Sequence, residues 1–323
     1  HQDAIAQIQT HILSNPAPQW EMEIEPMTDI AYPAPGFFNV RNVQKLLLLK
    51  TIHAHHQHNP ESLQSALNAT WELNQAIAQR SDLSSQVSVA IISAQQAGIL
   101  RHLPNIPSHW QTRLLEQSEH QPIMKGVRFE AWLRYEITKA AWIPAITPTQ
   151  SASAVEKIQA ALTNRLSPQT YFKLLSVDNT KTIHQALDQL TRLNVCTTSQ
   201  LQAETLLTSI QTAAWNKADA VPAAVIAKRW QTAGNRRLAL ELSQIILATK
   251  QQREASKAMT ETMIPKTTEG TTEKGLTTLL SQTSKTCPTE QWTYQKQGNQ
   301  IVLSLSKPLL SPTAIPLVYR ETL

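Results

Sequence analysis

Helical periodicity runs from Asn39 to Met259 with no strand pattern between them, and this limits what the chain can fold into. Apolar residues recur there at spacings of three and four, which places them on one face of a helix. The clearest case opens at Asn59-Pro60-Glu61. Asparagine is a good N-cap, proline at the first helical position loses no hydrogen bond, and glutamate in the first turn favours the helix dipole. Leu63, Ala66, Leu67, Thr70, Trp71, Asn74 and Ile77 then make one mostly apolar stripe. Ser81 or Asp82 can cap the next helix, whose stripe is Leu83, Val87, Ala90, Ile91, Ala94 and Ala97, with a stop at Pro104. The helix before both carries Val40, Val43, Leu47 and Ile52. Its Leu46–Leu49 run is apolar all round, the pattern of a helix buried between neighbours. Short connections predict antiparallel packing of all three, and Ala90, Ser93, Ala94, Ala97 and Gly98 permit close approach.

Outside this unit, Ala4, Ile5, Ile8, Ile12 and Leu13 suit a short amphipathic helix, and residues 15–38 form a proline-punctuated extended segment. His109–Glu119 and Ile123–Trp142 read as helices. After a Pro/Thr/Ser-rich break at Ile143–Ser153, helices are predicted near 152–165, 168–176, 181–194, 199–215, 222–232 and 235–258. At Met259 the composition turns to Thr and Lys, with Leu276, Leu279 and Leu280 hinting at one short helix. Trp292, Tyr294 and Lys296 alternate, Gly298-Asn299 supplies turn chemistry, and Ile301, Leu303 and Leu305 alternate again, which predicts a β-hairpin. Ile315–Arg320 can add a third strand, and the 235–258 helix is the nearest cover for so small a sheet. The expected organisation is 1–38, an N-terminal helix and extended segment; 39–143 and 152–258, two helical subdomains; and 259–323, a linker with a small antiparallel β-hairpin region.

Composition narrows the function. Of 323 residues, 41% are apolar and 16% charged, a globular rather than a disordered balance. The seven glycines are scattered, whereas nucleotide-binding and hydrolase sites cluster them for close backbone approach. G-x-S-x-G, H-E-x-x-H and C-x-x-C patterns are absent from the sequence. A net charge of +5 and a pI near 9.2 are modest, and abundant Gln and Thr give a neutral polar surface. Val127, Arg128, Trp132, Arg134, Tyr135 and Trp142 interleave aromatic and basic side chains, which could stack bases. At this charge, an aromatic core stripe with solvated arginines is the favoured reading, and nucleic acid is not an expected partner. Lys228-Arg229 and Arg236-Arg237 make two basic spots at a predicted helix junction, where an anionic partner or lipid headgroup could sit, though a solvated face is the default reading.

The metal candidates are His53 and His56, three apart on one helical face, with His55 and His58 beside them. Neutral imidazoles so placed could bind zinc or copper. They also fall at a helix C-terminus, where protonated histidine is favoured by the dipole alone. His1 offers an amine and an imidazole that could chelate copper together. Cys196 and Cys287 are reduced thiols in a cytoplasm, or one disulfide between the helical body and the C-terminal region in an oxidising compartment.

Three stretches carry a resemblance. They are RNVQKLLLLK…NPESLQSALNATWELNQAIA…SSQVSVAIISAQQAGILRHL, then NRRLALELSQIILATKQQREASKAM, then CP…WTYQKQGNQIVLSLS…IPLVYR. Together they resemble a diffuse group of uncharacterised bacterial envelope proteins, with a tetratricopeptide-like helical body and a pilin-like late helix and small sheet. The resemblance assigns no catalytic residues. The fold class expected is mainly α, an irregular helical bundle or tetratricopeptide-like α-α superhelix with the small sheet at its end. The expected function is a non-enzymatic scaffold or accessory subunit, without cofactor, binding a protein partner or its own copies in a membrane-associated envelope assembly. The expected place is periplasmic or extracytoplasmic, with anchoring through a removed N-terminal segment, since the sequence opens at His1. The alternative is a metal-binding protein using the His53–His58 cluster.

Overall fold

Capping chemistry sets several helix boundaries. Asn59 Oδ1 accepts from the Ser62 amide at 2.9 Å, and Asp82 accepts from the Ser85 amide at 2.8 Å. Ser199 and Gln202 cap each other's backbone in a reciprocal box. Each such cap contributes about 1 kcal/mol. The computed structural model describes residues 2–15, 37–103, 106–107, 109–116, 121–140, 168–214, 221–262, 282–297, 300–307 and 317–322, with positions 154, 157, 161 and 309. Among them the helices are α1 (Gln2–Ser14), α2 (Phe37–His56), α3 (Pro60–Ala78), α4 (Leu83–His102) and α5 (His109–Glu116). They continue with α6 (Gln121–Ala140), α7 (Pro168–Arg192), α8 (Gln200–Ala213) and α9 (Ala223–Thr262). A four-stranded antiparallel sheet follows, β1 (Gln282–Thr283), β2 (Gln291–Gln297), β3 (Gln300–Leu305) and β4 (Val318–Thr322), ordered β1-β2-β3-β4. The fold is mainly helical with this small sheet near its C-terminal end. Of the extended segment read at 15–38, residues 16–36 lie outside the described residues, while Phe37 and Phe38 already belong to α2; the break at 143–153, the leucines at 276–280 and the turn at 298–299 lie outside them too.

Two predicted breaks do not occur. The segments read as 168–176 and 181–194 are one helix, α7, and those read as 222–232 and 235–258 are one helix, α9. Asp178-Asn179-Thr180 is polar but stays helical. At Ala233-Gly234 the glycine serves packing instead of a break. A Cβ on Gly234 would lie 2.6–2.8 Å from the Val195 side chain, so only glycine lets that loop close on the helix.

α9 is the axis of the molecule, touching α4, α5, α6 and α8. It runs parallel to α4. Arg236 reaches Ser93, Ser243 reaches the Ala97 carbonyl, and Lys250 reaches the Leu103 carbonyl, in ascending order along both helices. α3 and α4 are antiparallel, since Asn74 meets Ser93 and Gln96 meets Thr70. These polar side chains are buried. The α4 stripe read from the sequence is therefore incomplete. Leu83, Ala90 and Ala97 are buried and Val87, Ile91 and Ala94 half-buried, while Ser85, Gln86, Ser93 and Gln96 are buried as well, because neighbours cover α4 on several sides.

The sheet lays one face on α9. Pairing of Tyr294 with Leu303 and of Leu303 with Tyr319 places these residues on that face, with Trp292, Ile301 and Glu321. Trp292 is fully buried, and each such apolar side chain contributes about 2–3 kcal/mol on burial. The joint is locked by Glu241 of α9. Its carboxylate accepts from Trp292 Nε1 at 3.0 Å, the Lys285 amide at 2.7 Å, the Thr286 amide at 3.2 Å and Ser284 Oγ at 3.1 Å. Beside it, a disulfide joins Cys196 to Cys287 with a Cα–Cα distance of 6.0 Å across a sequence separation of 91. On the chain-entropy account a closed loop of that length contributes about 4 kcal/mol.

Candidate functional site

An open apolar groove lies between α2, α4 and β4. The leucine run of α2 divides by side, contrary to its expected burial all round. Leu47 and Leu48 are buried, but Leu46 is 42% and Leu49 60% exposed. The helix packs on α3 and α4 with one face and turns Lys45, Leu48, Leu49 and Ile52 to a groove of about 920 Å³. α4 contributes Ala94, Gln95, Gly98 and Ile99, and β4 contributes Val318, Tyr319 and Arg320. Gly98 forms the floor. A Cβ there would meet nothing within 4 Å, so no neighbour in the fold requires a glycine in mid-helix.

Cations close the groove's end. Arg101 donates from Nε to Ser243 Oγ at 2.8 Å and from a terminal nitrogen to the Ala239 carbonyl at 2.6 Å. Burial lowers its pKa to about 10, against a raising influence from Tyr319, and it stays charged at neutral pH. Lys250 donates to the Arg101 and Leu103 carbonyls at 2.6 and 3.1 Å, capping α4. Its ammonium also stands 5.8 Å from the centre of the Tyr319 ring. Burial first, then Lys250 and Arg101, hold the His102 imidazole below its ordinary range. Burial, then Glu321, pushes the Tyr319 phenol up to about 12. Lys45 and Arg320 are exposed on opposite walls, and no acidic side chain lines the groove among the described residues.

The strand wall is also a sheet edge. Among the described residues β4 pairs only with β3. The Ser306 amide donates to the Gln291 carbonyl at 2.7 Å. Antiparallel alternation from that bond turns Leu303 and Ile301 toward β4. Tyr319 and Glu321 therefore bond inward, and the backbone groups of Val318, Arg320 and Thr322 face the free edge.

The sequence-based candidates fall elsewhere. His53 and His56 are exposed and His55 is half-buried at the end of α2. His58 takes a φ of 53°, and the bonds Asn59 N to Ala54 O and His58 N to His55 O, both 3.0 Å, close the helix in a Schellman turn. The His55 and His56 rings lie 5.6 Å apart. Among the described residues no group of three or more His, Cys, Asp or Glu is placed to hold a metal ion, and His1 lies outside them. The expected basic spot at Arg236-Arg237 is corrected. Because α9 is continuous, Arg236 turns into the core, donates to Ser93 Oγ at 2.9 Å, and is held near a pKa of about 10 by burial. On α6, Val127 is buried, whereas Trp132 is exposed with its ring 5.5 Å from Phe129. Arg128 and Trp132 line a small cleft of about 210 Å³ against α7, and Trp142 lies outside the described residues. Glu241, Tyr319 and the β4 edge escaped the sequence, where nothing links them to their distant partners. Gly98 was visible, as a glycine inside a strong helical pattern.

No helix among the described residues is long and apolar enough to cross a membrane. No protein-family model, curated protein or solved structure matches the chain.

Proposed function

We propose that this chain is a non-enzymatic scaffold or accessory subunit of an extracytoplasmic, envelope-associated assembly, and that it acts by binding another protein through the α2–α4–β4 groove. The observation that carries this reading is the apolar groove itself. Leu49 and Ile52 of α2 and Val318 of β4 stand exposed around it, and contiguous exposed apolar surface marks interaction sites. The Cys196–Cys287 disulfide supports an oxidising compartment. The tetratricopeptide-like arrangement of α2, α3 and α4 fits a helical body built to present such a surface.

The test is purification of the native protein from cell envelopes in mild detergent, alongside Leu49→Asp/Ile52→Asp. The reading expects a defined assembly larger than the chain and loss of the co-purifying protein in the variant. A free monomer, or an unchanged partner in the variant, contradicts it.

The exposed His53 and His56, one turn apart, support metal binding as the second reading. It expects stoichiometric zinc or copper in the purified protein, removed by His53→Ala/His56→Ala.

A further inference from the structure

Three features of the groove, taken together, specify the shape of what it takes. The β4 edge offers the backbone groups of Val318, Arg320 and Thr322 as a template for another strand. At Gly98, on the groove floor, an added Cβ would meet nothing within 4 Å, which leaves room there for an incoming side chain. The exposed cations Lys45 and Arg320 border the groove, whose lining holds no carboxylate among the described residues, and Arg320 stands on the strand that an added segment would pair with.

We propose that the groove takes an extended segment of another protein, alternately apolar and acidic, which adds to β4 as a fifth strand. This rests on the protein-binding reading above and names its mode. The alternation follows from the sheet. Residues of the incoming strand opposite Tyr319 and Glu321 share the face that turns to α4 and α9, so they enter the groove and are apolar. Those opposite Arg320 lie on the solvent face, where a carboxylate meets the guanidinium across the strand pair. Backbone bonds then supply affinity and the groove supplies selection. A second copy of this chain fits worse, because an antiparallel β4–β4 pair centred on Arg320 sets that cation against itself.

The probe is a fluorescein-labelled synthetic peptide alternating valine and glutamate, read by anisotropy on the whole chain. Two comparison peptides replace glutamate by lysine, or carry N-methyl groups on the amides that would bond the edge. The expected result is that the acidic peptide binds about tenfold or more tighter than either. A Cβ at Gly98 meets nothing within 4 Å, and Gly98→Leu carries the side chain further into the groove, so it removes binding, with Gly98→Ala and the melting temperatures of both variants as the control for stability. Arg320→Glu reverses the preference toward the lysine peptide. Equal binding of the N-methylated peptide, or no peptide binding, overturns the proposal. So does oleate binding blocked by Gly98→Leu, which makes the groove a lipid site, or sedimentation of a dimer that Arg320→Glu changes, which makes it a self-interface. If the peptide fails while Leu49→Asp/Ile52→Asp still releases the co-purifying protein, strand addition falls and the protein-binding reading stands. If neither responds, both fall.

Discussion

The chain meets its C-terminal sheet in two places, and they are built in opposite ways. At the Glu241 joint, a buried carboxylate is filled by Trp292, Ser284 and two backbone amides, and a disulfide runs alongside. At the groove, β4 has no second partner strand among the described residues, and α2 turns Leu49 outward. Each region has one glycine in a long helix, and the pair shows the difference most directly. A Cβ on Gly234 would clash with Val195, whereas one on Gly98 would meet nothing within 4 Å. The first is explained by the fold itself, and for the second the described residues supply no packing reason. A glycine therefore marks a site where its missing side chain leaves space that the chain does not fill.

Changes on the two sides should differ in size and in sign. The largest effect is expected from Glu241→Ala, which strips four donors of their acceptor and should cost about 3–5 kcal/mol in urea unfolding. A loss under about 1 kcal/mol would mean that the joint is not the lock described. Next comes Gly234→Ala, where the added methyl group meets Val195 and should cost about 1–3 kcal/mol. Gly98→Ala should go the other way, gaining about 0.5–1 kcal/mol from helix propensity with no clash. Equal signs for the two alanines would erase the contrast between the two regions.

The smallest effect is a pH slope near the groove. His102 is held below its ordinary 6.5 by burial, then Lys250 and Arg101, and Tyr319 faces it from β4. His109 is lowered by burial, then Arg113. The unfolded chain therefore takes up these protons first. Their contribution to stability is fully present above pH 6.5 and is lost as the pH falls through their lowered values. Melting temperatures should decline from about pH 7 to pH 5, and His102→Gln should flatten part of that decline. An identical profile in the variant would remove His102 from the account.

Local chemistry made much of the fold legible. Asn59 and Asp82 cap where their positions predict, and alternation located β2 and β3. β4 begins three residues later than the start read for it, and two-residue β1 is too short to leave a pattern. What stayed hidden depends on contacts across long sequence distance. Gly234 reads as a break until Val195 is seen against it. Glu241 reads as one more helix-surface acid until Trp292, 51 residues on, donates to it. Leu46–Leu49 reads as buried all round because an apolar run carries no sign of which of its sides the rest of the chain covers. Most of the groove was illegible for the same reason. Its walls come from α2, α4 and β4, and only tertiary packing brings them together.

The most direct test of the groove as a docking site compares co-purification of the native chain with that of Gly98→Leu from cell envelopes, with melting temperature recorded for both. The account predicts that the partner protein is lost while the variant melts at the same or a higher temperature. Retention of the partner at undiminished yield would contradict it.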